Sequence, residues 1–240
     1  MIPGALLRVA HSFGNSRHLV EAAQKSPIDM IEGDVRLRDG RLWLGHDYRL
    51  PLLPICVSRR SLEPPARGLV RFGPWQARLD LNPLPLEGLL EMAGRCRLLL
   101  DLKQSRRSED ASEFVETLAE LLRRFDRATS DCLCGDWPFL DAARYLLPET
   151  RLYYSVGDRR GWQALVQRLN GGDPITGVSL RSSLFDGSSA HILQSKGVET
   201  LCWCVDDPAE AVRVTMLGAG GIISNDLALL AGIGGTTASG

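Results

Sequence analysis

Strand and helix signals alternate along this chain from end to end, and that alternation constrains its fold more than any other feature. Short apolar runs read as strands, and longer segments with apolar residues at i, i+3 and i+4 read as helices. LLRVAHS is a first strand, followed by a helix in SRHLVEAAQKS that Ser16 would cap. MIEGDVRLRDGRLWLGH reads as a second strand, a turn at Asp39-Gly40 and another extended segment. Helices are predicted in LPLEGLLEMAG, SEDASEFVETLAELLRRFD, WPFLDAARYLL, GWQALVQRLNG, SSAHILQSKG, PAEAVRVTMLGAG and DLALLAGIG. Between them RLLLDLK, SDCLCGD, RLYYSVG, ITGVSLRS, ETLCWCVD and GIISN read as strands. The stripe through Phe114, Leu118, Leu121 and Leu122 has acidic residues before it and arginines after it, as the helix dipole favours.

Eight strands with helical connections predict an α/β fold, a single (β/α)8 TIM barrel over residues 1–232, with a flexible low-complexity tail at 233–240. The 240 residues suit one large domain, and 44% hydrophobic content can fill its core. An open doubly wound sheet is the alternative, but no glycine-rich dinucleotide turn follows the first strand. Residues 47–83 are rich in Pro and Arg without sustained period. They read as a long irregular connection over the barrel mouth. In a barrel, functional side chains gather at the C-terminal ends of the strands.

Four packets place chemistry at such ends: VAHS, IEGDV, WLGHD and LLLDLK. They carry His11, Glu32, Asp34, His46, Asp101 and Lys103. Residues two apart in a strand share a face, so Glu32 points with Asp34 and Asp101 with Lys103. Paired carboxylates repel unless a cation or water intervenes. Exposed strand faces with ordinary salt bridges would be the bland account, but the flanking residues are apolar and parallel strands are buried on both faces. Three carboxylates and no soft ligand set suit Mg2+ or Ca2+ over zinc. A cation and a lysine neutralise phosphate oxygens while two histidines move protons, which is what attack on a phosphate ester requires.

A formal net charge of -1 gives no electrostatic reason to expect nucleic acid as a partner. No apolar run approaches a membrane span, and the N-terminus reads as a strand and not as a secretion signal, which predicts a cytoplasmic protein. The six cysteines lack any CxxC spacing and are expected as reduced core thiols. His18 and His191 belong to no packet and are expected to be exposed or packing residues. Trp203 fits either a core position or a wall beside an alcohol or lipid headgroup.

The ordered packets resemble the glycerophosphodiester phosphodiesterase superfamily, from His11 to about Leu230. IEGDVRLRDGRLWLGHD is similar to that family's metal carboxylates, turn and second histidine. PLEGLLEMAGRCRLLLDLK is similar to its helix, third metal carboxylate and lysine, and LCWCVDDPAEAVRVTMLGAGGIISN to its tryptophan strand, helix and last strand. The resemblance implies a TIM barrel, a metal held by Glu32, Asp34 and Asp101, acid–base catalysis by His11 and His46, and substrate contacts at Lys103, Trp203, Asn225 and Asn15.

Three departures lean toward a neighbouring branch, the sphingomyelinase D-like phospholipases. Ser12 and Phe13 follow His11 where an arginine and glycine are usual, Asp101 replaces a glutamate, and Ser224-Asn225 replaces a threonine and aspartate. Arg181, ending the sixth strand, could stand in for the missing arginine. Against that branch, Cys56 stands alone after His46, where a cysteine pair is usual. The expected activity is therefore cleavage of a glycerophosphodiester or related phospholipid headgroup ester. The alternatives are a sphingomyelinase D-like lyase acting on lysophospholipid and a non-catalytic phospho-ligand binding barrel.

Overall fold

The computed structural model describes residues 6–45, 84–104 and 110–233, and the backbone of four segments, 48–49, 56–59, 69–72 and 75–78. Eight parallel strands close on themselves. They are β1 (Leu7–Ala10), β2 (Met30–Arg38), β3 (Arg97–Leu102), β4 (Cys132–Gly135), β5 (Arg151–Val156), β6 (Gly177–Arg181), β7 (Glu199–Trp203) and β8 (Gly221–Ser224). Each pairs with the next, and β8 returns to β1, with Leu7 opposite Gly221 and Ala10 opposite Ser224. One helix follows each strand: α1 (Arg17–Ala23), α2 (Leu86–Ala93), α3 (Ala111–Arg124), α4 (Trp137–Leu146), α5 (Arg159–Asn170), α6 (Gly187–Ser195), α7 (Pro208–Met216) and α8 (Leu227–Ile233). The expected (β/α)8 barrel is therefore the observed one. Among the described residues no helix is long and apolar enough to cross a membrane.

The period of two sorts the strand side chains. Leu98, Leu100 and Leu102 of β3 face the helices, and Leu99 faces inward. Val9, Met30, Leu99, Cys132, Cys134, Tyr153, Leu201 and Ile223 fill the barrel interior. Outside, Phe114 of α3 stacks on Phe139 of α4 with ring centroids 4.5 Å apart. Burying one such side chain is worth about 1.5–3 kcal/mol. Below the barrel, the Arg127 guanidinium is bidentate with Asp131 and donates to the carbonyls of Gly94 and Cys96, while Asp131 Oδ1 accepts from the Leu98 amide. That buried pair anchors the start of β3.

Local signals explain the helix starts. Asp110, Asp158, Asp186 and Asp207 each accept a backbone N–H from the first turn of α3, α5, α6 and α7. Ser16 stands at the N-cap of α1 as expected, but its side chain caps nothing. Its hydroxyl lies 3.3 Å from His18 Nδ1 instead.

Residues 47–83 depart from the expected irregular connection. Their described segments Tyr48–Arg49, Cys56–Arg59, Leu69–Phe72 and Trp75–Arg78 form a four-stranded antiparallel sheet. Segments such as CVSR and WQAR are too short for their alternation to stand out among the surrounding prolines and arginines. The extended segment Arg41–Leu44 pairs antiparallel with the end of β2, from Val35–Leu44 to Arg38–Arg41, and the turn is at Asp39-Gly40 as predicted. The described cysteines, Cys96, Cys132, Cys134, Cys202 and Cys204, are free. Of the expected tail at 233–240, Ile233 instead closes α8, and 234–240 lie outside the described residues.

Candidate metal and phosphate site

Glu32 and Asp34 point inward from β2, and Asp101 from β3 opposite Asp34. Each of the three offers a carboxylate oxygen within 4.8 Å of the others. Glu32 and Asp34 are buried, and Asp101 is mostly so. The cluster has room because Gly135 stands beside it on β4 at φ 120°. A Cβ there would lie 2.6 Å from Asp101 Oδ1 and 2.3 Å from the Leu102 carbonyl oxygen.

The turn after β1 shapes the other side. Ser12 adopts a left-handed conformation, φ 60° and ψ 7°, and its amide donates to Glu32 Oε2. Gly14 then lies against Gly33 so closely that a Cβ on Gly14 would meet the Glu32 carbonyl oxygen at 2.9 Å. This approach of two glycine backbones brings Asn15 onto Asp34. Asn15 Nδ2 donates to Asp34 Oδ2 at 2.8 Å, and Asn15 Oδ1 accepts the Asp34 amide at 2.9 Å. Both ends of the Asn15 amide are thus engaged with Asp34.

Lys103 closes the cluster, with Nζ 2.6 Å from Asp101 Oδ2 and 3.6 Å from Asp34 Oδ1. Burial works against its charge, but Asp101 and Asp34 outweigh it and hold the ammonium protonated well above its ordinary range. Burial, reinforced by Asp34, pushes the Glu32 carboxyl up to about 8. Burial likewise raises Asp101, partly offset by Lys103. Glu32 Oε1 and Asp101 Oδ1 are buried without a hydrogen-bond partner. Two orphaned oxygens in a hard-donor cluster are what a divalent cation would satisfy, so these residues fit Mg2+ or Ca2+.

His11 stands where β1 ends, its amide bonded to the Ser224 carbonyl. Its Nδ1 lies 2.9 Å from Asn225 Oδ1 and 3.8 Å from Cys204 Sγ. Asn225 Nδ2 donates to Asp206 Oδ2, and its own amide donates to Asp206 Oδ1, as does the Ser224 hydroxyl. A carboxylate can only accept, so Asp206 turns the Asn225 amide with its oxygen toward His11. His11 Nδ1 must then carry the proton, leaving Nε2 available. Burial disfavours the His11 cation, but Cys204, Glu32 and Asn225 outweigh it and raise its pKa well above the usual histidine range.

Trp203 ends β7 half-buried against the interior cluster, with the Arg181 guanidinium 5.2 Å from its ring centroid. His18 and His191 are exposed. His46 and Asp47 lie outside the described residues. Sequence reasoning named Asn225 as a substrate contact and missed Asp206 and Ser12. The VDDP doublet held the signal, since its second aspartate caps α7 and its first is free for another task.

A closed (β/α)8 barrel with converging carboxylates, a lysine and a histidine at the C-terminal ends of its strands defines a class of barrel with a candidate hard-cation centre. No family model matches this chain, and no curated protein matches it in sequence. Solved structures do. A protein from Silicibacter pomeroyi, assigned as a glycerophosphoryl diester phosphodiesterase, superposes with a TM-score of 0.74 at 17% identity, over 96% of this chain and 93% of that one. An Oleispira antarctica phosphodiesterase, solved in complex with the product sn-glycerol-3-phosphate, gives 0.69 at 17% identity over 95% and 96%. A glycerophosphodiester phosphodiesterase from Thermotoga maritima gives 0.66 at 16% identity over 96% and 99%. The chain therefore has the fold of these glycerophosphodiester phosphodiesterases along nearly its whole length. The lean toward the sphingomyelinase D-like branch rests on its residues alone.

Proposed function

We propose that this chain is a phosphodiesterase that uses a divalent cation and histidine acid–base chemistry to cleave a glycerophosphodiester or related phospholipid headgroup ester. The observation that carries this reading is the convergence of Glu32, Asp34 and Asp101, with two orphaned oxygens, beside Lys103 and His11. A small phosphodiester suits the product seen in the Oleispira antarctica structure.

Glu32, Asp34 and Asp101 would hold Mg2+ or Ca2+, which when bound supplies a Lewis acid for a non-bridging phosphate oxygen. Lys103 would donate to a second non-bridging oxygen. We assign His11 and His46 as the acid–base pair, His46 on its sequence packet alone. One takes the proton of the attacking hydroxyl. As the bond from phosphorus to the leaving oxygen breaks, the other returns a proton to that oxygen. Asn225 holds His11 in the tautomer with Nε2 available. Asn15 is assigned to holding Asp34, since its amide is already engaged there. Trp203 is the wall for the alcohol moiety.

The test is turnover of bis-p-nitrophenyl phosphate and a panel of glycerophosphodiesters, with and without EDTA. Turnover that EDTA abolishes and Mg2+ or Ca2+ restores is expected. Binding of the diesters without turnover would mark a phospho-ligand barrel instead. Phosphorus NMR showing a cyclic phosphate as the end product would mark a lyase.

A further inference from the structure

Arg181 closes β6 facing the barrel mouth. Val178 and Leu180 belong to the outer core, and a Cβ at Gly177 would run into the ring of inward-facing Tyr153, so Gly177, Ser179 and Arg181 share the inner face. Across the β6–β7 register Arg181 sits opposite Trp203, and its guanidinium lies over that indole. The ring face attracts the cation but offers the guanidinium no acceptor oxygen. The five N–H groups lie in its plane and stay free to donate.

Nothing among the described residues takes up that fork. Arg8, Arg127, Arg144, Arg168 and Arg213 are each paired with a carboxylate, whereas no described carboxylate pairs with Arg181. The turn that follows it, Ser182–Leu184, is tied down by Arg213 of α7. Arg213 Nη2 donates to the Ser182 carbonyl at 2.8 Å and Nη1 to the Phe185 carbonyl, while Glu210 holds the same guanidinium. The turn after Arg181 is therefore anchored, and the exposed Arg181 head group lies against the Trp203 ring.

In strand order β6 and β7 are separated from β2 and β3 by two strands each way, so Arg181 and Trp203 stand across the mouth from the carboxylate cluster. A diester whose phosphate is held at Lys103 and the cluster must extend its alcohol moiety away from them. Trp203 alone would take any apolar or hydroxylated group. A positioned arginine fork adds a preference for a planar anion, which it can bind through two parallel hydrogen bonds, and it opposes a cation.

We propose that Arg181 is a specificity-determining residue that favours phosphodiesters whose alcohol moiety carries a carboxylate. This rests on the phosphodiesterase reading above. Glycerophosphoserine and glycerophosphoethanolamine differ only by one carboxylate on the alcohol, which makes them the matched test pair. Wild-type protein with Mg2+ or Ca2+ is expected to favour glycerophosphoserine in kcat/KM by about tenfold to a hundredfold, the scale of a hydrogen-bonded charge pair, mainly through KM. Arg181→Gln should bring that ratio close to one, and Arg181→Lys should retain part of it. A wild-type ratio near one, or the same ratio in Arg181→Gln, overturns the proposal. So does an equal loss on both substrates, which would place Arg181 on the reacting phosphate.

If neither diester is turned over, the phosphodiesterase reading fails, and calorimetry then decides the inference. Tighter binding of O-phosphoserine than O-phosphoethanolamine in wild type, lost in Arg181→Gln, would uphold the carboxylate site. Equal binding, or none, would overturn it.

Discussion

Asp206 grips Asn225 with both carboxylate oxygens, accepting its side-chain N–H at Oδ2 and its backbone N–H at Oδ1, each at 2.8 Å. The far end of the same amide meets His11 Nδ1 at 2.9 Å. A carboxylate that touches no reacting atom thereby decides which nitrogen of His11 bears the proton.

Removing that grip should lower turnover without removing the metal site. Asp206→Ala frees the Asn225 amide to rotate, and a drop in kcat of about tenfold to a hundredfold is expected, the scale of one or two lost hydrogen bonds. Nitrogen NMR of the His11 ring, read above its raised pKa where the imidazole is neutral, should show the Nδ1–H tautomer in wild type and a tautomer mixture in the variant. An unchanged ring spectrum with an unchanged kcat would remove Asp206 from the positioning of His11.

His11→Ala and His46→Ala should each lower turnover by about two to four orders of magnitude, the usual scale for losing positioned acid–base catalysis. Calorimetric Mg2+ or Ca2+ affinity should survive both changes. His18→Ala is the control and should be silent, because that ring is exposed on α1. Activity lost with His18 and kept with His46 would break the assignment of the second histidine.

The Glu32 carboxyl, raised to about 8 mainly by burial and next by Asp34, links stability to pH. In the metal-free protein the folded state keeps a proton that the unfolded chain has already released. This group's contribution is fully present below its ordinary value of 4.5 and is lost as pH rises through about 8. Calorimetric Tm in EDTA should therefore fall across that window. With the cluster occupied by Mg2+ or Ca2+ no proton is needed, so the stabilisation by either ion should be larger at pH 8 than at pH 6. Glu32→Gln should flatten the slope in EDTA and weaken ion binding. An ion effect equal at both pH values would contradict the placement of Glu32 in the cluster.

Gly14→Ala tests the approach of two backbones. The added methyl would lie 2.9 Å from the Glu32 carbonyl oxygen and 3.0 Å from Gly33 Cα, neither of which can move aside alone. A loss of about 1–3 kcal/mol in urea denaturation is expected, together with weaker ion binding as Asn15 shifts from Asp34. Wild-type stability in this variant would show that the turn can relax away from β2.

Arg127→Ala should cost about 3–5 kcal/mol, because it strands the buried Asp131 carboxylate and two carbonyls at the start of β3. Ion affinity of the protein that remains folded should be unchanged, since the pair lies at the opposite end of the barrel from the cluster.

The local pattern determined a great deal here. Strand and helix periods named the barrel, and the spacing of two put Glu32 with Asp34 and Asp101 with Lys103, because alternation along a strand is set by the backbone alone. The chemistry of those side chains was legible for the same reason. The four-strand segment within 47–83 was not, because its strands are too short for a period to emerge and the pairing of Cys56–Arg59 with Trp75–Arg78 skips the strand between them.

Tertiary structure decided what each group does. Asn15 read as a substrate contact until the meeting of Gly14 with Gly33 turned it onto Asp34. Asn225 is 214 residues from His11 in sequence and becomes its neighbour only because β8 closes on β1. Asp206, on the loop after β7, meets Asn225 through the pairing of β7 with β8. Hydrogen bonds between residues so far apart leave no periodic trace in the chain, since they depend on the register of a closed barrel and not on the identity of nearby residues.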